Sequence, residues 1–282
     1  MNNSIYPCLW FDTNAKAAVD FYSNIFDEVK VLQDTPMVVT FEINGTKLMG
    51  LNGGPQFKVN SAISYFVYCG GDDVKITRLY EALKADGKVL FQLDKYDWSP
   101  KYAWIEDKFG VNWQLDIEPI NNAQKIVPCL LFANEKSARV KEAMTHYSSI
   151  FSDSMVLMEW PFPKEMNQPE GALLFAQFKL RKFIFNAMSS MLQHDFDFSE
   201  GNSFVVECDT QEEIDHYWNR LVEGGAESMC GWLKDKFGVW WQIIPSQLPK
   251  LMSNPATIKR VSDVIMKSKK FNIDELRQAA TL

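Results

Sequence analysis

Few side chains in this sequence have the types and spacing that metal binding or nucleophilic catalysis requires. The histidines are His146, His194 and His216. His194 lies beside two aspartates in residues 193–197, but this run precedes a predicted strand and is typical of a solvated loop. His216 follows Glu212 by four residues in a charge-rich helical segment, which indicates a solvated helical face. The sequence has no Gly-x-Ser-x-Gly turn, so these patterns identify no catalytic residue.

The cysteines do not form the pattern of a zinc site or of a disulfide framework. There are five of them and no Cys-x-x-Cys pair, which favours reduced side chains in a cytoplasmic protein. Four lie in apolar, strand-like runs: Cys8, Cys69, Cys129 and Cys208. A thiol becomes a nucleophile when a neighbouring base lowers its pKa, and no histidine falls beside Cys8 or Cys129. We interpret the cysteines as packing residues.

The elements that carry the remaining polar side chains come from an internal duplication. The segment WIEDKFGVNWQL (residues 104–115) matches WLKDKFGVWWQI (residues 232–243) at eight of twelve positions without a gap. Three further pairs of segments match in the same order, which indicates that a whole domain is duplicated: IYPCLWF with IVPCLLF, FYSNIF with HYSSIF, and SYFVYC with SFVVEC. We predict a first domain over residues 1–120, a linker over 121–125, a second domain over 126–248 and a helical tail over 249–282.

Each copy divides again into two halves with the same order of elements. In the first copy, the apolar residues of segment 14–26 have helical spacing, and the dipeptide Asn44-Gly45 is typical of a two-residue hairpin turn. The other predicted elements of this copy are strands at 5–11, 38–43, 47–51, 63–69, 102–106 and 111–117, and a helix at 72–85. A short additional strand in each half makes each copy two βαβββ units.

This order of elements resembles the vicinal-oxygen-chelate superfamily, which includes the glyoxalases and the bleomycin-resistance proteins. Two motifs are similar to those of its PhnB-like branch: PCLWF (residues 7–11) before a helix that ends in Phe21-Tyr22, and GWLKDKFGVWWQ (residues 231–242). The first copy departs from the second motif, because it has the sequence YAW at 102–104 and an insertion at 93–100. The similarity covers nearly the whole chain.

The resemblance implies an α+β fold of two tandem vicinal-oxygen-chelate domains and a C-terminal helical tail. It implies one curved, mostly antiparallel sheet per copy, formed by two βαβββ units around a cavity, with the helices outside. The branch also carries the label of a ubiquinone-pathway methyltransferase. The sequence lacks the glycine-rich strand-to-helix turn that a methyl-donor or dinucleotide site uses, so we predict no cofactor.

The resemblance also implies where metal ligands would lie on the inner strands. The matching positions hold mostly neutral side chains: Tyr6 and Val127 on the first strand, Ser64 and Ser203 on the fifth, Gln114 and Gln242 on the last, and a hairpin position near Gly50 and Phe185. Transition metals prefer imidazole, carboxylate and thiolate ligands. We therefore predict no metal site.

Side chains alternate along a strand, so the inner positions predict a pocket. If Tyr6 and Gln114 face inward, their neighbours two residues away do so too, and Trp113 faces the helices. The predicted ligand-binding residues are Tyr6, Trp10, Ser64, Asn112, Gln114, Ser203 and Gln242. Two alternatives stay open: the glutamines either orient a ligand or are buried amides that bond to the sheet, and the inner side chains either line a cavity or fill it.

Charge and hydropathy restrict the partners. The net charge of −7 argues against nucleic acid, and no apolar run approaches the roughly 20 residues that span a bilayer. We expect a cytoplasmic protein that binds a small amphipathic or aromatic molecule, with a homodimer as one possibility. Two other function classes remain: a metal-dependent lyase, isomerase or dioxygenase with ligands from loops that we have not aligned, and a structural or interaction scaffold.

The tail has the pattern of two helices. Ile258, Val261 and Ile265 have helical spacing, and Asn272 followed by Glu275 is typical of a helix start. Such short helices are marginal in water unless an apolar face is buried. The tail therefore either packs against its own chain, or reaches into a second chain, or is disordered.

Overall fold

A computed structural model describes residues 4–281 of the chain. The first copy contains β1 (Ile5–Phe11), α1 (Ala15–Ile25), β2 (Val29–Asp34), β3 (Val38–Ile43), β4 (Thr46–Asn52), β5 (Ile63–Tyr68), α2 (Asp73–Lys84), β6 (Lys88–Tyr96), β7 (Ser99–Glu106) and β8 (Asn112–Asp116). The second copy contains β9 (Ile126–Phe132), α3 (Val140–Ile150), β10 (Met155–Pro161), β11 (Leu173–Leu180), β12 (Phe183–Ser189), β13 (Asn202–Cys208), α4 (Gln211–Val222), β14 (Ala226–Glu227), β15 (Trp232–Lys234) and β16 (Trp240–Pro245). The tail contains α5 (Leu248–Leu251), α6 (Ile258–Lys267) and α7 (Ile273–Ala279). The prediction of two βαβββ units per copy is confirmed.

Local sequence signals explain where several elements begin and end. Asn44 and Gly45 connect β3 to β4 with φ values of 47° and 75°, the left-handed backbone that a tight hairpin turn requires. Asp72 caps α2, because its side chain accepts a hydrogen bond from the Lys75 N–H at 2.9 Å. Asn272 caps α7 by accepting from the N–H groups of the second and third residues after it, as the sequence predicts.

The strands form two mixed, eight-stranded sheets, and the described residues divide into two compact units. One unit contains Pro7–Asn202. It holds one complete sheet, in the order β10-β11-β12-β9-β5-β8-β7-β6, which we call the second sheet, together with the set β1-β4-β3-β2. The other unit contains residues 4–6 and 203–281. Its strands lie in the order β14-β15-β16-β13, and the Glu207 N–H donates to the Ser4 carbonyl at 3.1 Å.

The strand order corrects the expectation of one closed sheet per copy. The second sheet combines β5–β8 of the first copy with β9–β12 of the second, and it is open, with β10 and β6 at its edges. The two halves join where β5 pairs antiparallel with β9 and Ser64 lies opposite Cys129. Each half would otherwise leave the edge of its first strand unpaired, and joining two such edges satisfies the backbone groups of both. A pattern of strands along the chain does not specify which edges pair.

The two faces of the second sheet differ in what covers them. Trp113 of β8 lies 5.3 Å from Tyr22 and 5.1 Å from Phe26 of the α1 segment, measured between ring centroids. Tyr65 of β5 lies on this same helix-covered face, 5.7 Å from Trp113. Because side chains alternate along a strand, Gln114 lies on the opposite face, as predicted.

The tail helices pack against the unit that contains them. Val261 and Leu276 are fully buried, and Phe271 is almost so. The Gln211 side chain of α4 fastens the segment between the two helices, because its amide N–H donates to the Phe271 carbonyl at 3.1 Å and its oxygen accepts from the Ile273 N–H at 2.9 Å. These contacts support the self-packing interpretation. No helix within residues 4–281 is long and apolar enough to cross a membrane.

Candidate functional site

A buried carboxylate explains why the segment around residues 104–115 repeats without a gap. Asp107 follows β7 and is 3% exposed. Its Oδ1 accepts hydrogen bonds from the N–H groups of Phe109 and Val111 at 2.8 and 3.0 Å. Its Oδ2 accepts from the Trp113 indole N–H at 2.8 Å and from the Tyr22 hydroxyl at 2.9 Å. Burial raises the pKa of Asp107, while these bonds oppose that shift.

The second copy uses the same carboxylate in the same way. Asp235 Oδ1 accepts from the N–H groups of Phe237 and Val239 at 2.8 and 3.0 Å. Its Oδ2 accepts from the Trp241 indole N–H at 2.9 Å. The repeated motif is therefore a turn-forming device that ties a tight loop to the strand after it. The expectation that both segments form the same strand–loop–strand structure is confirmed.

Three of the predicted site residues lie on the face of the second sheet opposite the helix-covered one, and all three are buried: Ser64, Asn112 and Gln114. The Gln114 amide N–H donates to the Ser64 hydroxyl at 2.6 Å, and the Gln114 carbonyl accepts from the Tyr102 hydroxyl. Asn112 Oδ1 accepts from the Ser61 hydroxyl and from the Trp104 indole N–H, both at 2.9 Å. The polar side chains on this face are thus hydrogen-bonded to one another, which favours the interpretation of Gln114 as a buried amide that bonds to the sheet.

The other unit holds the equivalent Gln–Ser pair of the second copy and also Tyr6 of the first copy. The Gln242 amide donates to the Ser203 hydroxyl at 2.9 Å, so the Gln–Ser pair occurs in both copies. The Tyr6 hydroxyl donates to Glu207 Oε1 at 3.0 Å, and the Ser4 hydroxyl donates to the other carboxylate oxygen at 2.5 Å. The sequence analysis did not identify this glutamate.

Trp10 lies apart from the residues of the second sheet. Its indole N–H donates to the Gly54 carbonyl at 2.7 Å, and its ring meets Phe57 edge-on at 5.0 Å. A Cβ atom at Gly53 would come within 2.1 Å of the Trp10 ring, so this ring is packed closely against the segment after β4.

A continuous array of aromatic rings lies at one end of this face, opposite the helix-covered one, and we call the array the aromatic face. Its members are joined by ring-centroid distances of 4.9 to 6.3 Å: Phe66, Phe91, Tyr96, Trp98, Tyr102 and Trp104. The array runs from the buried Phe66 to Trp98, which is 54% exposed. Tyr96 and Trp98 belong to the insertion at residues 93–100, which forms the tip of the β6–β7 hairpin. The insertion therefore extends the aromatic surface of the first copy.

A second polar group on the aromatic face centres on Tyr68. Its hydroxyl oxygen accepts hydrogen bonds from the amide groups of Asn186 at 3.0 Å and Gln177 at 3.2 Å. The Gln177 amide also donates to Asn186 Oδ1 at 2.9 Å. Burial raises the pKa of Tyr68, so the phenol keeps its proton. Within residues 4–281 no acceptor receives that proton.

Asp116 supplies a carboxylate to the same face. It lies opposite Tyr102 in the β7–β8 pairing and opposite Tyr68 in the β5–β8 pairing, and it is 8% exposed. Its Oδ1 accepts from the Ser99 hydroxyl at 2.7 Å and from the Glu118 N–H at 3.1 Å. Burial raises the pKa of this carboxyl.

The thiol on this face has the environment of a packing residue. Cys129 is fully buried among the apolar side chains of the sheet. Burial raises the pKa of the thiol well above its ordinary value, so it stays protonated. A protonated thiol is a poor nucleophile.

The positions that would hold a metal in related enzymes do not fit one. Ser64 and Gln114 bond to each other, and the matching first-strand residue of this sheet is Val127. The hairpin position falls on Asn186, which is on the aromatic face, rather than on Phe185, which stacks on Phe178 on the other side. Across the described part of the chain, no group of three or more His, Cys, Asp or Glu residues could hold a metal ion.

A cavity of about 500 Å³ lies at the loop between β10 and β11. Its walls come from residues 160–164 and 168–172, which include aromatic and proline side chains. Trp160 lies opposite Phe175 in the strand pairing, and Phe175 packs edge-on against Phe66 at 6.0 Å. Phe175 is therefore the residue that contacts both a wall of this cavity and the aromatic face.

Comparison with solved structures defines the class of fold. Glyoxalase I from Zea mays is 11% identical with a TM-score of 0.56, and the match covers 86% of this chain and 92% of that one. A protein from Bacillus subtilis is 10% identical with a TM-score of 0.50, with coverage of 97% and 94%. At these identities the likeness shows the fold alone, which is that of the vicinal-oxygen-chelate proteins.

A family model identifies the branch. The model described as 3-demethylubiquinone-9 3-methyltransferase matches twice, over residues 3–116 and 124–244. The chain belongs to this family, with two copies of its domain in tandem. The PhnB protein from Bacillus cereus is 29% identical over 39% of this chain and 96% of its own length, with a TM-score of 0.37. The search of curated proteins gave no match.

Sequence reasoning missed several polar residues of the aromatic face, although signals for some were present. Alternation from Ser64 along β5 points to Tyr68, four residues further on. Tyr102 is visible only as a departure from the motif of the second copy. The positions of Gln177 and Asn186 depend on the pairing of β9 with β5, which no local pattern encodes.

Proposed function

We propose that the protein binds a small aromatic or amphipathic molecule on the aromatic face of the second sheet. The observation that supports this most directly is the combination of exposed rings at the hairpin tip with the buried polar groups of Tyr68, Tyr102 and Asp116. An apolar surface with a few convergent polar groups is the general form of a small-molecule site. We place this activity in the cytoplasm, without a nucleic-acid or membrane partner.

The roles that we assign differ among the predicted site residues. Tyr102 and Trp98 contact the ligand, while Gln114 and Ser64 hold the Tyr102 hydroxyl in place. Asn112 holds the Trp104 indole in the same manner. The proposed site holds no metal, because Ser64 and Gln114 bond to each other and the other matching positions are Val127 and Asn186.

A binding screen with site variants tests the proposal. A panel of planar aromatic compounds that includes 2-naphthol is screened by thermal shift, since a ligand at 100 times its Kd adds about 2.7 kcal/mol to stability. Aromatic contacts contribute about 0.5–1.5 kcal/mol each, so Trp98→Ala should weaken binding about 2- to 10-fold. Met266→Ala is the control, because Met266 is 67% exposed on α6 in the other unit.

The result that would overturn the proposal is equally concrete. If compounds bind but neither Trp98→Ala nor Tyr102→Phe changes their affinity, the ligand site lies elsewhere. If no compound of the panel binds, the aromatic face is not a small-molecule site.

We also propose that the chain forms a homodimer through β10. This strand lies at the edge of the second sheet, and all of its seven residues are exposed. Met155, Val156, Met158 and Trp160 are apolar, and an exposed apolar edge strand is usually covered by another chain. Because the tail helices pack on their own unit, we do not assign them to the dimer interface at β10.

A further inference from the structure

Asp116 has no structural counterpart in the second copy. Gln114 matches Gln242 in the duplication, so Asp116 falls on Ile244. The fold therefore does not require a carboxylate at this position. Asp107 and Asp235 differ from Asp116 in this respect. Their carboxylates hold the loop between two strands, and such a carboxylate is present in both copies. Asp116 is thus a departure that belongs to the first copy alone.

The hydroxyl that orients Asp116 comes from the inserted segment. Ser99 belongs to residues 93–100, which have no equivalent in the second copy. The same insertion supplies Tyr96 and Trp98, whose rings lie 5.7 and 5.6 Å from the Tyr102 ring. One insertion therefore brings together a carboxylate holder and a set of aromatic rings.

One oxygen of Asp116 is left without a partner. Both of its hydrogen bonds within residues 4–281 go to Oδ1, and none goes to Oδ2. Among the described residues, no lysine or arginine forms an ion pair with Asp116. None lies over the rings of Phe91, Tyr96, Trp98 or Tyr102 either. A buried carboxylate without a cation is costly, and a bound cation would lower that cost.

We propose that the ligand of the aromatic face is an organic cation, an aromatic or alkyl ammonium compound, whose charge lies between Asp116 and the rings of Tyr96, Trp98 and Tyr102. Aromatic faces attract a cation through the quadrupole of the ring, and this attraction is strongest for desolvated ammonium groups. Asp116 supplies the opposite charge at the floor of the site. This inference rests on the proposed function, because it specifies the charge of the same ligand.

Three probes with one ring system separate charge from aromatic stacking. They are 2-naphthol, which is neutral, (naphthalen-2-ylmethyl)trimethylammonium, which is cationic, and 2-naphthoate, which is anionic. Binding is measured by calorimetry on the full chain. The cation should bind roughly 10-fold or more tightly than 2-naphthol, and 2-naphthoate should bind most weakly.

Variants assign the preference to Asp116. In Asp116→Asn, which keeps an acceptor for Ser99, the preference for the cation over 2-naphthol should fall to the part that the rings alone supply, about 2- to 5-fold. Asp116→Ile, which places the residue of the second copy at this position, should do the same. Glu118→Gln removes one exposed negative charge two residues away and should preserve the preference.

Each outcome decides a different claim. If 2-naphthol and the cation bind wild-type protein equally, the inference is wrong while aromatic binding stands. If the preference for the cation is undiminished in both Asp116 variants, Asp116 does not contribute to it, and the assignment is wrong. If none of the three probes binds, both the proposed function and this inference fail.

Discussion

Replacing Asp107 by asparagine tests whether one buried carboxylate holds the repeated strand–loop–strand motif together. The carboxylate accepts four hydrogen bonds, from the N–H groups of Phe109 and Val111, the Trp113 indole and the Tyr22 hydroxyl. Asparagine keeps one oxygen for the two backbone donors. It presents an NH₂ group to the two side-chain donors, so the bonds from Trp113 and Tyr22 are lost or reversed.

The cost follows from the number of bonds that change. A hydrogen bond to a charged group contributes about 1.5–3 kcal/mol. Two such bonds are changed, so we expect Asp107→Asn to lower the free energy of unfolding by about 3–6 kcal/mol. The Tyr22 hydroxyl can rotate to accept from the new amide, which favours a value near about 3 kcal/mol. Tyr22→Phe removes one of the bonds and should cost about 1.5–3 kcal/mol.

Urea unfolding followed by tryptophan fluorescence measures these changes, and a double-mutant cycle isolates the bond between Asp107 and Tyr22. Tyr22→Phe should cost less in the Asp107→Asn background than in wild type. Glu118→Gln, at an exposed position, should change stability by less than about 0.5 kcal/mol. The reasoning is refuted if Asp107→Asn costs under about 1 kcal/mol or if Tyr22→Phe costs the same in both backgrounds.

Three further predictions concern the tail, the dimer and the acid response. Deletion of all residues after Ser253 removes the buried side chains of Phe271 and Leu276. It should lower the melting temperature by at least about 5 °C and leave the oligomeric state unchanged. Loss of the dimer with an unaltered melting temperature would contradict the packing of the tail on its own chain. Val156→Lys on β10 should convert the dimer to a monomer, as measured by light scattering. The control Val31→Lys, on the edge strand β2, should leave the dimer intact. A monomeric wild-type protein would exclude a dimer interface at β10. Burial raises the pKa of Asp116 above its ordinary value of 3.8, so the folded chain binds more protons than the unfolded chain between that value and the folded pKa. Stability relative to Asp116→Asn should therefore fall as the pH rises through this window and stay constant above it, and a parallel pH dependence of the two proteins in urea unfolding would contradict this.

The order of elements was predictable because each element has a local signal. Helix α1 has apolar residues on one face, the hairpin after β3 has Asn44-Gly45, and α7 has Asn272 at its start. These signals depend on neighbours within a few residues. The duplication was visible for the same reason, since it preserves whole segments in order.

The composition of the second sheet was not predictable from such signals. The edge of β5 meets the edge of β9, and both strands are short apolar runs whose sequences do not specify a partner strand. The choice is made by tertiary packing of the halves, as in the contacts of Tyr22 and Phe26 with Trp113. The omission of Asn186 and Gln177 follows from this choice, because both reach Tyr68 only through the paired edges.

The duplication also separates residues that the fold requires from residues that serve a ligand. In both copies the aspartate accepts from an indole and the glutamine donates to a serine, at Asp107 and Gln114 and again at Asp235 and Gln242. The bond from Tyr102 to Gln114 belongs to the first copy alone, because residue 230 is a cysteine. A group that recurs with the same partners at both places is explained by the fold alone. This weakens the interpretation of Gln114 as a ligand-orienting amide and favours its role in holding Tyr102.

The positions where the copies diverge are the better candidates for recognition. Tyr68 falls on Glu207, Tyr102 on Cys230 and Asp116 on Ile244. All three residues of the first copy lie on the aromatic face, next to the rings that the insertion at 93–100 adds. One copy of a duplicated fold can remain a scaffold while the other gains polar groups. Each buried polar group lowers stability unless another group bonds to it. The unpartnered Oδ2 of Asp116 and the free proton of Tyr68 are costs of this kind, and a bound molecule that satisfied both would account for their presence.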